Sequence, residues 1–105
     1  MKRLMIALLL AATAGLASAA SDPATEYHTW YAGSSYTGQV STFGLVWQCS
    51  GGTCQLSGPY GRGLNMKVCR ELSRLVGPLD YYYNDAGMSW SAAENAALLK
   101  QCNAR

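Results

Sequence analysis

Hydrophobic and polar positions change rhythm several times along the chain. Leu4 to Leu16 is an apolar run broken by Thr13 and Gly15. Residues 21–39 are polar, with scattered aromatics and no sustained period, and read as a flexible arm. Residues 40–49 then alternate, so that Phe43, Leu45, Trp47 and Cys49 share one face of a strand. Ser50-Gly51-Gly52-Thr53 is a turn, and Cys54-Gln55-Leu56 leads the chain back. Beyond a Gly- and Pro-containing loop at residues 57–63, the period lengthens. Leu64, Val68, Leu72, Leu75 and Val76 fall at helical spacing with Cys69 beside them, and Lys67, Arg70, Glu71 and Arg74 take the other side. Gly77-Pro78 stops that helix. Leu79 to Tyr83 predicts a third strand, with Leu79, Tyr81 and Tyr83 on one face. Asn84-Asp85-Ala86-Gly87 predicts a turn. Ser91-Ala92-Ala93-Glu94 has the form of a capping box opening a last helix, with Leu98, Leu99 and Cys102 inside.

The first apolar run is not part of the fold. Lys2 and Arg3 precede it and Ala17-Ser18-Ala19 follows it, which together form a cleavable secretory signal peptide over residues 1–20. The run is shorter than the roughly 20 residues a bilayer span takes. The expected organisation is a signal peptide at 1–20, an arm at 21–39 and one small domain at 40–105. The domain is α+β, ordered β-hairpin, helix, strand, helix. Export places it in the periplasm or outside the cell, with no stable membrane insertion once the signal is cut.

A domain this short has a thin core, and small exported domains make up the deficit with disulfides. Cys49, Cys54, Cys69 and Cys102 all lie beyond the signal peptide. A zinc site is the competing use, but zinc knuckles pair cysteines two to four apart twice over, and the last two here stand singly. Gly51-Gly52 suits a two-residue turn with positive φ at both positions. Cys49 and Cys54 then face each other in a close, non-hydrogen-bonded pair, with Trp47 and Leu56 one step further on the same side. That favours Cys49–Cys54 and leaves Cys69–Cys102. Neither a metal nor a cofactor is expected.

Charge narrows the partners. The whole chain carries +2, but Lys2 and Arg3 leave with the signal, and from residue 21 onward six Lys/Arg balance six Asp/Glu. A polyanion partner is not implied by net charge, and export argues against nucleic acid. Locally, Arg62, Lys67, Arg70 and Arg74 crowd one region with Glu71 opposing them, a candidate anion-binding face. Tyr60, Tyr82 and Trp90 are candidate glycan or partner contacts, because Trp47, Tyr81 and Tyr83 fit the core. The sole histidine, His28, falls in the arm, where it cannot be held beside a nucleophile as a hydrolase needs. Cys49 and Cys54 lack the C-x-x-C spacing of thiol catalysts. No catalytic set emerges.

One resemblance adds to this. Trp47-Gln48-Cys49, Cys54, Val68-Cys69-Arg70-Glu71-Leu72, Val76-Gly77, Tyr81 to Tyr83 and Leu99-Lys100-Gln101-Cys102-Asn103 stand in an order that resembles a family of small exported bacterial proteins of unassigned function. The resemblance implies a periplasmic or secreted protein and supplies no catalytic residues. The function expected is a non-enzymatic binding or interaction module of the cell envelope, contacting an envelope protein or cell-wall glycan. A small secreted hydrolase or redox enzyme, and a secreted toxin or inhibitor, are the alternatives.

Overall fold

A computed structural model describes residues 26–104; the signal peptide reading and residues 21–25 of the arm lie outside the described residues. Six strands and two helices follow in order: β1 (His28–Gly33), β2 (Gly38–Thr42), β3 (Leu45–Ser50), β4 (Thr53–Gly58), α1 (Met66–Val76), β5 (Tyr81–Asn84), β6 (Ser89–Ser91) and α2 (Ala96–Cys102). The strands form one antiparallel sheet in the order β2-β3-β4-β1-β5-β6. Both helices pack on one face. The α+β class and the disulfide-stapled scaffold are as expected, but the sheet is twice as wide.

One of the three additional strands comes from the segment read as an arm. Residues 28–33 form an inner strand of the sheet, paired with β4 on one side and β5 on the other. Trp30 lies opposite Leu56 and Asn84, and Ala32 opposite Cys54 and Tyr82; Trp30 and Ala32 are fully buried. The arm reading is therefore corrected over these residues, and again at Gly38 and Gln39, which open β2. A two-residue alternation of Trp30 and Ala32 is too short to register as a period. The strand is held by partners 20 or more residues away, which no local pattern reports.

The alternating stretch at 40–49 is two strands, not one. Phe43 and Gly44, with φ of 50° and 87°, turn the chain between Thr42 and Leu45, which are paired. Phe43 leaves the core face and is 59% exposed. Trp47 and Cys49 point inward as expected. Gly51 and Gly52 take φ of 62° and 93°, Ser50 pairs with Thr53, and Cys49 faces Cys54. Both disulfides form in the predicted pairing, Cys49–Cys54 within this hairpin and Cys69–Cys102 between α1 and α2.

Helix α1 buries Val68, Cys69, Leu72 and Ser73 against the sheet and ends at Gly77, whose φ is 95°. The parity of β5 is opposite to expectation: Tyr82 and Asn84 point into the core, and Tyr81 and Tyr83 point out. The inward choice is fixed by neighbours, since the Tyr82 hydroxyl donates to the Leu64 carbonyl at 2.6 Å and its ring packs between Trp47 and Trp90. The turn after β5 closes on Asn84, whose Oδ1 accepts from the N–H groups of Ala86 and Met88. Ser91 accepts from the N–H groups of Ala93 and Glu94, but the bend it caps is not helical. Helix α2 starts only at Ala96, after Asn95 with φ of 56°. Its far end is tied down by Asn103, which accepts from the Leu79 N–H at 2.7 Å and donates to the Leu79 carbonyl at 2.9 Å.

Candidate functional site

The helices cover one face of the sheet, and the other is open. Alternation along each strand assigns the outward positions: Thr29 and Tyr31 on β1, Gln39 and Ser41 on β2, Val46, Gln48 and Ser50 on β3. Thr53, Gln55 and Ser57 on β4, Tyr81 and Tyr83 on β5, and Ser89 and Ser91 on β6 complete the set. Among the described strands no Asp, Glu, Lys or Arg occurs at all. The open face is thus made of hydroxyls, primary amides and three tyrosines, with Val46 as the aliphatic exception.

The tyrosines form a platform. Tyr31 and Tyr83, opposite each other on β1 and β5, stack with centroids 4.9 Å apart and planes 23° from parallel. Tyr81 adds its ring at 5.6 Å from Tyr83. Its ring also lies over Gly33, where a Cβ would collide with it, and its hydroxyl shares a 2.7 Å hydrogen bond with Thr53. On the adjoining strands β3 and β4, Val46, Gln48, Ser50, Thr53, Gln55, Leu56 and Ser57 line a depression of about 490 Å³. Thr53 therefore connects the depression to the platform. Thr29 and Ser57 share another 2.7 Å hydroxyl pair across β1 and β4.

The residues proposed from sequence land elsewhere. Tyr82 and Trp90 are 0% and 6% exposed and belong to the core, so neither is a contact residue. Burial pushes the Tyr82 pKa up and keeps its hydroxyl a donor. Tyr60 is partly exposed, but its ring covers Gly58, an inward position of β4, away from the platform. Tyr31 belongs to the segment read as an arm, which predicts a free ring there and no ordered platform, and Tyr81 and Tyr83 are expected in the core and instead face out. The signal that could have found them is the single uncharged alternation Tyr81-Tyr82-Tyr83, read with the buried ring in the middle.

The four cations also separate. Lys67, Arg70 and Arg74 line one cleft with Phe43, Met66, Glu71 and Ala104. Arg62 is not among them; it pairs with Glu26 at 3.1 Å. Glu26 belongs to a second network, around His28. The His28 Nε2 lies 2.9 Å from Glu26 Oε1, and its Nδ1 lies 2.7 Å from Asp85 Oδ1. Asp85 Oδ2 also accepts from the Thr29 N–H. Both ring nitrogens face carboxylate oxygens, so both bonds exist together only when the imidazole is protonated. The Glu26 hydrogen bond raises the His28 pKa above 6.5, partial burial opposes it, and Asp85 adds to the rise. His28 is therefore held rigidly in a strand, contrary to the arm reading. Its two nitrogens are engaged by acids, which suits a clamp between β1 and the β5–β6 turn better than a base beside a nucleophile.

Together these features define a small α+β domain stapled by two disulfides, with one helix-covered and one uncharged open sheet face. A family model matches residues 7–104, and the chain belongs to that family, DUF8200, a family of unknown function. No curated protein and no solved structure matches. Among the described residues no helix is long and apolar enough to cross a membrane, and no group of His, Cys, Asp or Glu is placed to hold a metal. The disulfides are compatible with an oxidising compartment.

Proposed function

We propose that this protein is an exported, non-enzymatic binding domain of the cell envelope whose open sheet face takes a neutral glycan. The observation that carries the reading is the face itself: three clustered tyrosine rings among hydroxyl and amide side chains, with no Asp, Glu, Lys or Arg on any described strand. Rigid tyrosines give contact area at low entropic cost, and Ser, Thr and Gln give adaptable hydrogen bonds, the combination that polar recognition surfaces use. Sugar rings present apolar C–H faces edged by hydroxyls, which matches a flat ring platform beside amide and hydroxyl side chains. A protein partner fits less well, because the core of a protein–protein interface is mostly apolar and Val46 is the sole aliphatic residue facing out from the described strands. A polyanion has nothing to pair with on this face.

The disulfides fit the oxidising space outside the cytoplasm, and the signal-peptide pattern at residues 1–20 supports export. The test is co-sedimentation of the exported protein with purified cell-wall sacculi and with chitin, at low and high salt. Binding that survives high salt and is lost in Tyr31→Ala/Tyr83→Ala supports the reading. Protein that stays in the supernatant at both salt concentrations with both glycans rejects it.

A further inference from the structure

A second concavity lies on the helix side, away from the open face. Phe43 at the β2–β3 turn, Met66, Lys67, Arg70, Glu71 and Arg74 of α1, and Ala104 line an open cleft of about 780 Å³. Its lining has two parts. Phe43, Met66 and Ala104 are apolar, and three cations face one carboxylate. That carboxylate is already committed, since Glu71 accepts from Arg74 Nη2 at 2.7 Å and Nε at 3.0 Å. Arg70 donates one N–H to the neutral carbonyl of Gln101 at 2.9 Å. The Lys67 ammonium stands 4.8 Å from the centre of the Phe43 ring, which orients it without neutralising it. Among the described residues no carboxylate lies within ion-pair distance of Lys67 or Arg70.

The backbone gives an independent pointer. Phe43 holds φ of 50° at the first position of a two-residue turn, where glycine, asparagine or aspartate fits without strain. A bulky aromatic in that region is an outlier, and such outliers gather at functional sites. The core does not explain it, because the ring is 59% exposed and lies under Lys67. The strain presents an aromatic surface at the cleft mouth, next to unneutralised positive charge.

We infer that this cleft binds a free amphipathic anion, with an acidic headgroup against Lys67 and Arg70 and an apolar body along Phe43 and Met66. The complementarity is twofold, charge to charge and ring to chain. The volume lies in the range of small-molecule sites, and the concave shape suits a discrete molecule more than a flat bilayer surface. This site is separate from the tyrosine platform, so the two readings stand or fall independently.

The test is a titration of isotope-labelled protein with octanoate below its micelle concentration, followed by backbone amide chemical shifts. Acetate and 1-octanol serve as the headgroup alone and the chain alone. The expected result is saturable shifts confined to residues 43–44 and 66–71, with acetate and 1-octanol at least about tenfold weaker. Phe43→Gly should weaken octanoate about tenfold while leaving the melting temperature unchanged or higher, because glycine prefers this turn. Lys67→Gln/Arg70→Gln should weaken it similarly. Shifts that do not saturate, that lie elsewhere, or that survive both variants would overturn the inference. So would equal binding of 1-octanol, or binding to phosphatidylglycerol vesicles without any binding of octanoate.

Discussion

Both faces of the sheet are rich in aromatic rings, and the rings are held in opposite ways. On the covered face Trp30, Trp47, Tyr82 and Trp90 are removed from water, and Trp47, Tyr82 and Trp90 pack ring against ring. Their polar atoms turn to protein partners where they can: Trp47 Nε1 donates to Thr42 Oγ1 at 2.9 Å, and Tyr82 to Leu64. On the open face Tyr31, Tyr81 and Tyr83 lie against one another with part of each ring in water. Neighbouring residues of one strand, Tyr81 to Tyr83, serve both surfaces. Abundance of aromatics therefore marks nothing by itself here; what matters is which parity of each strand meets the helices, because a one-residue change exchanges the two sets.

The comparison can be broken first at the covered face. Trp47→Ala should cost about 3–5 kcal/mol in urea unfolding, as removal of a large buried ring does. Two of the buried tryptophans also differ, since among the described residues the Trp30 indole N–H has no hydrogen-bond partner while the Trp47 one has Thr42. Trp47→Phe leaves the buried Thr42 hydroxyl without its donor, so it should destabilise by about 1–3 kcal/mol more than Trp30→Phe, which also removes an unpaired donor.

Next in size come the staples on that same side. Replacing Cys69 and Cys102 by Ser opens a loop of sequence separation 33 and should lower stability by about 3–4 kcal/mol. Cys49 and Cys54, only 5 apart and already joined by a tight turn, should cost about 2 kcal/mol by the same measurement.

The open face should respond in the reverse sense. Tyr83→Ala should change unfolding free energy by no more than about 1 kcal/mol, as partly exposed substitutions do, while abolishing retention on chitin. Gly33→Ala sharpens the point, because the new methyl group would displace the Tyr81 ring and its bond to Thr53. It should reduce glycan retention without removing any tyrosine.

The smallest effect is a pH dependence. A histidine whose folded pKa is raised contributes stability that is fully present below its unfolded value and is lost as pH rises through the folded one. His28 should therefore add stability below pH 6.5 that declines above it. The melting temperature of His28→Gln, followed across that range, should lack this component.

What the sequence made legible was local. Gly51-Gly52 specified its turn and the Cys49–Cys54 pairing, the Leu and Val spacing specified α1, and Gly77 specified its end. What it hid depended on distant partners. Residues 28–33 form a strand only because β4 and β5 flank them, and Trp30 is buried only in that company. Phe43 looked like a core residue by alternation and is instead a turn residue in a conformation its side chain disfavours. The candidate site inherited both errors. Tyr31 lies in the strand that distant partners create, and the parity of Tyr81 to Tyr83 is set by Leu64, Trp47 and Trp90, which meet Tyr82 on the helix-covered side.

The central claim is that the uncharged open face is the binding surface. Titrating labelled protein with soluble oligosaccharides released from chitin or sacculi, and following backbone amide shifts, tests it most directly. The account predicts saturable shifts confined to residues 29–33, 53–57 and 81–83. They should be unaffected by high salt and absent in Tyr31→Ala/Tyr83→Ala. Shifts centred on α1, or none at saturating sugar, would contradict it.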